Sequence, residues 1–216
     1  MQQIELKYLE IYGYSDPAAG KEARNQRRTA RQTIVIGARD WLSRWFFLYI
    51  WAGRLTTSDF KRKILDIHEQ YSCRRFGLEA NGMQVLFGGL IRDEARERFG
   101  PGNMKFIPIY QPTNVDKNYR IRTGIEPALN MGRIFLRESD VDARSEFAGF
   151  PTAQTKDIID SIETLISRVA PKRTESAAAS SEEGQYAKYL RESGMPAHLI
   201  EQEMARYRAQ LAVGLH

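Results

Sequence analysis

Three apolar, strand-like runs follow one another within the first 53 residues, LEIYGYSD (9–16), TIVIGARD (33–40) and WFFLYIWAG (45–53), after which helix and strand patterns alternate. Runs so rich in aromatic and β-branched residues, bounded by turn signals such as Asp16-Pro17, read as strands. Three in close succession imply an antiparallel meander, whereas a strand reached only through a helix implies parallel pairing. The chain is therefore expected to build an α/β fold whose mixed central sheet is flanked by helices.

The later elements fit that order. Phe60, Ile64, Ile67 and Tyr71 recur at helical spacing behind Ser58, a candidate amino-terminal cap. Residues 75–79 (RFGLE) read as a short strand, 83–100 (MQVLFGGLIRDEARERFG) as a second helix and 105–110 (KFIPIY) as another strand. Residues 111–133 are expected to be loop-like, with one helical turn around Gly124 to Leu129, and 132–138 (GRIFLRE) to be extended. The run 152–169 (TAQTKDIIDSIETLISRV) predicts a third helix, with Ile158, Ile162, Leu165, Ile166 and Val169 in one apolar stripe suited to packing on a sheet. At 216 residues the chain suits one domain, residues 1–170, plus an appendage. The small and charged stretch 171–184 (PKRTESAAASSEEG) reads as a flexible linker, and 185–216 as a helical tail of two short helices, the second opened by Pro196.

Composition narrows the function classes. A net charge of +5 and a pI near 9.3 lean toward a polyanionic partner. Cys73 is the only cysteine and His68, His198 and His216 are scattered, which argues against disulfide frameworks, thiolate zinc sites and histidine-rich metal sites and points to a reducing, intracellular setting. The longest apolar cluster, WLSRWFFLYIWAGRL (41–55), is broken by Arg44 and too short to span a bilayer, so a soluble protein without a membrane partner is expected. No G-x-x-x-x-G-K-[ST] phosphate loop occurs, so ATP hydrolysis is not expected.

Three carboxylates stand at the ends of these elements: Asp16 closes the first strand, Glu79 closes RFGLE, and Asp157 opens the third helix. Acids gathered from distant segments are hard oxygen ligands for Mg²⁺ or Mn²⁺, and two such ions can clamp the attacking and leaving oxygens of a phosphodiester. Asp160 and Glu163 continue the Asp157 row at spacings of three, opposite the apolar stripe. Such a row fits a plain solvent face and a face turned into a cleft equally well. The loop at 21–31 carries Lys21, Arg24, Arg27, Arg28 and Arg31, and KNYRIR adds Lys117, Arg120 and Arg122; both groups are candidates for neutralising DNA phosphates without reading sequence.

The order of these features resembles a known family. Asp16 ending the first of three strands, Glu79 ending a strand after a helix, and DIID on a late helix resemble the ribonuclease H-like nuclease fold. SDPAAG, GLEANG, KNYRI, GRIFL and FP followed by DIID further resemble the carboxy-terminal nuclease domain of the large terminase subunit of tailed bacteriophages, over roughly residues 9–170. The resemblance implies that Asp16, Glu79 and Asp157 are metal-binding catalytic acids, with Asp160 an accessory ligand and two Mg²⁺ or Mn²⁺ ions as cofactors. It implies an endonuclease that cuts double-stranded DNA with little sequence preference during genome packaging in the cytoplasm of an infected host cell. The tail would then meet the portal or another packaging protein. The family often has an acid where this chain has Lys156. Two alternatives accordingly stay open: a catalytically silent DNA-binding or assembly module, and another nuclease of the same fold, such as a transposase or a Holliday junction resolvase.

Overall fold

The computed structural model describes residues 6, 9–17, 31–81, 84–100, 105–112, 114–171, 182–193 and 195–212. Strands β1 (Glu10–Asp16), β2 (Gln32–Arg39) and β3 (Trp45–Gly53) form the expected antiparallel meander. Helix α1 (Thr57–Tyr71) returns the chain so that β4 (Arg75–Glu79) lies parallel to β1. Helix α2 (Gln84–Phe99) does the same for β5 (Phe106–Ile109), which is parallel to β4. The two-residue strand β6 (Ile134–Phe135) pairs with β3 and completes a six-stranded mixed sheet in the order β5-β4-β1-β2-β3-β6. This is the α/β architecture, a mixed central sheet flanked by helices, that the sequence predicts.

Alternation along the strands supplies one core for each face of the sheet. Ile34, Ile36, Phe76 and Leu78 point toward α1 and α2, packing with Phe60, Ile64 and Ile91. Tyr12, Tyr14, Val35 and Phe47 point the other way, against α3 (Lys117–Asn130), α4 (Val141–Gly149) and α5 (Asp157–Thr164). Helix α5 runs on into a π-helical turn at Leu165–Val169, which lies so close to the sheet that a Cβ on Gly77 would stand 2.4 Å from the Val169 side chain. Only glycine admits that approach.

Three local expectations are corrected and one helix, α4, is added where the sequence predicts no element. The cap of α1 is Thr56, whose hydroxyl accepts from the Asp59 amide at 3.2 Å, and Ser58 lies inside the helix. Residues 117–130, expected as loop with a single helical turn, form the whole of α3. Gly124 and Pro127 mask its period, and Asp116 caps it by accepting from the Tyr119 amide at 2.8 Å. Residues 141–149 form α4, a helix too short and too polar to show a stripe. Helix α5 starts at Asp157, five residues later than its pattern suggested.

Beyond residue 171, α6 (Glu182–Glu192) and α7 (Ala197–Ala212) pack together and onto the β2–β3 turn. Tyr186 lies against Trp41 with ring centroids 4.5 Å apart, and Leu190 and Met204 are buried beside them. Residues 172–181 of the expected linker lie outside the described residues. Among the described residues, no helix is long and apolar enough to cross a membrane.

Candidate active site at the carboxyl ends of β1 and β4

Parallel neighbours end on the same side of a sheet, and here Ser15 of β1 pairs with Leu78 of β4. The next residues, Asp16 and Glu79, therefore stand side by side. Both follow the alternation of Tyr14 and so lie on the face covered by α5. The first turn of α5 brings Asp157 and Asp160 to the same edge, each with a side chain 16% exposed. The acidic row that periodicity left open thus faces a cleft: α3 covers it, and Glu163, one turn further on, is buried. Gly124 makes that covering close, since a Cβ there would sit 2.5 Å from the Glu163 side chain.

The charges inside this cleft are tightly matched. Arg120 donates through Nη2 to Asp160 and through Nη1 to Glu163, both at 2.5 Å, while its own side chain is only 10% exposed. Lys117, one turn earlier on α3, places Nζ 3.0 Å from Asp160 Oδ2. Burial alone would lower the Lys117 pKa, but Asp160, Asp157 and Asp16 outweigh it and hold the ammonium above its ordinary value. The Glu79 carboxyl is raised by burial, relieved by a 2.9 Å hydrogen bond from the Tyr14 hydroxyl, raised again by Asp160 and relieved by Arg120 and Lys117. Lys117 therefore lies within the field of all four acids: Asp16, Glu79, Asp157 and Asp160.

A second set of contacts fixes the acids from behind. Burial pushes the Tyr14 phenol well above its ordinary pKa, with the charges of Glu79 and Asp16 adding to the rise, so it stays a donor to Glu79. Gln111 donates to Thr164 Oγ1 at 2.7 Å, and Thr164 donates back to the Asp160 carbonyl at 3.0 Å. Ser161 Oγ donates to the Asp157 carbonyl at 2.8 Å and lies 2.6 Å from Thr33 Oγ1, on the β2 residue that pairs with Asp16. Arg31 donates its backbone N–H to Asp157 Oδ2 at 3.2 Å and brings Nε to 3.5 Å from that oxygen, an ion pair without hydrogen-bond geometry.

The structure thus gathers Asp16, Glu79, Asp157 and Asp160, and it moves Lys117 and Arg120 from the expected DNA-binding surface into the acid cleft itself. Arg31 likewise has its guanidinium against Asp142, Glu146 and Asp157 rather than presented outward. Arg122 is exposed on α3. Lys21, Arg24, Arg27 and Arg28 lie outside the described residues. Lys156 directs Nζ to Asn118 Oδ1 at 2.9 Å and the Pro151 carbonyl at 3.2 Å, and neither acceptor is one of the four acids.

Sequence reasoning missed Tyr14, Gln111 and Glu146. Nothing in their spacing marks them, because each acts across elements. The position of Lys117 was within reach, since Asp116 is a cap residue opening the helix that carries it.

A hard divalent cation suits this donor set in chemistry: all four side chains are carboxylates, and a cation, the Lys117 ammonium, already lies in their common field. In spacing the set is incomplete. Among the described residues, no three His, Cys, Asp or Glu side chains converge on one ligating point.

No known family model matches the sequence, and no curated protein does. Solved structures similar to the chain include T. thermophilus RuvC in complex with a Holliday junction substrate, at 6% identity, covering 73% of this chain and 91% of that one with a TM-score of 0.43. The Fowlpox virus resolvase in complex with Holliday junction DNA is similar at 14% identity, 72% and 93% coverage and a TM-score of 0.42. The yeast mitochondrial Holliday junction resolvase is similar at 7% identity, 88% and 85% coverage and a TM-score of 0.44.

Proposed function

We propose that the chain is a divalent-metal-dependent endonuclease acting on DNA. The observation that carries this reading is the placing of Asp16 and Glu79, at the adjoining ends of β1 and β4, on the face covered by α5, whose first turn carries Asp157 and Asp160, with the Lys117 ammonium 3.0 Å from Asp160. Asp16, Glu79 and Asp157 would hold Mg²⁺ or Mn²⁺, with Asp160 as accessory ligand; such an ion supplies Lewis-acid stabilisation of the charge that builds on a phosphodiester during hydrolysis.

The chain's own groups do the rest. Tyr14 donates to Glu79 Oε2 at 2.9 Å and Asn81 to Oε1 at 3.4 Å, which together orient the carboxylate. Arg120 lies between Asp160 and Glu163 and offsets the repulsion between these neighbouring carboxylates. Lys117, with 45% of its side chain exposed, can exchange its contact with Asp160 for a non-bridging phosphate oxygen and so place the strand against the acids. Arg122, exposed on α3, would add a sequence-independent phosphate contact.

Lys156 was the feature favouring a silent module. With its ammonium held by Asn118 and the Pro151 carbonyl, it does not cancel an acid of the site.

Supercoiled plasmid, linear duplex and a four-way junction, each incubated with Mn²⁺, Mg²⁺ or EDTA, test the reading. The expected result is cutting that requires metal and falls by more than about a hundredfold in Asp16→Ala and Asp157→Ala, beyond what loss of an outer-shell partner costs. Cutting in EDTA, or undiminished cutting by both variants, sinks the mechanism. The substrate arms separate the finer readings: cutting of plain duplex supports a packaging nuclease like the terminase domain, cutting confined to the junction supports a resolvase, and binding without cutting supports the silent module.

A further inference from the structure

We infer that Glu146 is a positioning residue for Asp157, acting through the α5 amino terminus and through Arg31; the inference rests on the metal-dependent reading above. Glu146 is an acid 3% exposed, on a helix whose other face is open to solvent. Burying a carboxylate is costly unless its oxygens are fully engaged. Here Oε2 accepts from the amides of Ile158 at 2.8 Å and Ile159 at 3.0 Å, and Oε1 accepts from Arg31 Nη2 at 2.6 Å and Thr155 Oγ1 at 2.9 Å.

The two amides belong to the second and third residues of α5, whose N–H groups have no partner inside the helix and are normally met by the cap side chain. The cap of α5 is Lys156, which has no acceptor and makes no side-chain capping bond. Glu146 does that work from α4, and its charge also suits the positive end of the helix. The helix it anchors begins with Asp157.

Its other oxygen holds Arg31, the residue before β2, and Arg31 in turn contacts Asp157 Oδ2 through its backbone N–H and lies in ion-pair range through Nε. One buried carboxylate thereby fixes both the backbone that carries Asp157 and the group that orients its side chain. Outer partners of this kind turn a ligand toward its ion without touching it.

The test measures Mn²⁺ binding by water-proton relaxation and amide exchange by NMR in the wild-type protein, Glu146→Gln, Arg31→Met and their double variant. Gln keeps the shape but replaces one acceptor oxygen by a donor. Glu146→Gln is expected to weaken Mn²⁺ binding about tenfold and to speed exchange at Ile158 and Ile159. Arg31→Met weakens Mn²⁺ binding in the same direction while leaving that exchange protected, and the double variant binds no more weakly than the product of a shared pathway allows, so the effects are less than additive.

Ile64→Val, in the opposite core, controls for general loss of stability and is expected to leave Mn²⁺ affinity unchanged. Unaltered affinity in Glu146→Gln, an equal loss in Ile64→Val, or full additivity overturns the positioning role. If the wild-type protein takes up no Mn²⁺, the metal reading falls and amide exchange alone judges the clamp: unchanged protection at Ile158 and Ile159 in Glu146→Gln overturns it as well.

Discussion

Two networks of acids and bases lie on opposite sides of the sheet, and they are built differently. On the α1/α2 side, Lys61 pairs with Glu94 and Arg98 with Asp66 and Glu69, joining two helices through side chains between a quarter and three-fifths exposed. On the α3/α5 side, Arg120 is held between Asp160 and Glu163 under a helix packed close by Gly124. The first network is spread over a surface that water can screen. The second sits where charge is expensive, and a protein keeps expensive charge where it is paired or used.

The largest expected effect breaks the buried network. Arg120→Met leaves Glu163 with hydroxyl contacts alone, from Ser167 and, at 3.4 Å, from Thr164, and leaves Asp160 with Lys117. Removing one partner of a buried pair strands the other, so unfolding free energy from urea titration should fall by about 3 kcal/mol. Adding Glu163→Gln should recover part of that loss, because the stranded charge is then gone. An unchanged urea midpoint in Arg120→Met would show that the cleft is wetter than its burial implies.

A smaller effect sharpens the same comparison through pH. Burial raises both Glu79 and Glu163 from an ordinary value of 4.5. The folded state then keeps these protons to higher pH than the unfolded state, so in metal-free buffer this contribution to stability is intact below pH 4.5 and lost as pH rises through the folded values. Glu79→Gln should flatten that decline. Because the Tyr14 hydroxyl lowers the Glu79 pKa, Tyr14→Phe should carry that decline to higher pH in the same metal-free buffer, and a move to lower pH would contradict the assigned hydrogen bond.

How much of this could be read in the chain differs by element. The meander and the parallel returns were legible because β1, β2 and β3 announce themselves by composition and α1 by period. Helices α3 and α4 were not, since they bury narrow faces: Ile121 and Ile125 in one, Ala143 and Glu146 in the other. Asp16, Glu79 and Asp157 could be singled out by their order along the chain, since each taken alone also suits a turn, a strand end or a helix start. Their partners were hidden for a physical reason: Tyr14 reads as a core aromatic and Glu146 as a surface acid until the fold puts one beside Glu79 and the other beneath α5. Arg31 and Arg120 read as phosphate-binding cations, and the sequence has no way to say that their charge is already spent on Asp157, Asp160 and Glu163.

The smallest expected effect lies on the far side of the sheet. Arg98 bridges Asp66 and Glu69, and its pKa is raised, the hydrogen bond to Asp66 being the largest cause. All three side chains remain in contact with water, so whatever the pairs gain is offset by the entropy of holding long side chains and by counterions within a Debye length of about 8 Å at physiological salt. Arg98→Met should therefore leave the urea midpoint unchanged at physiological salt and leave DNA cleavage untouched. Its effect, if measurable at low salt, should vanish as salt is added, whereas the loss in Arg120→Met should persist. A salt-independent loss in Arg98→Met comparable to that of Arg120→Met would erase the distinction between the two networks, and with it the reason for assigning function to the buried one.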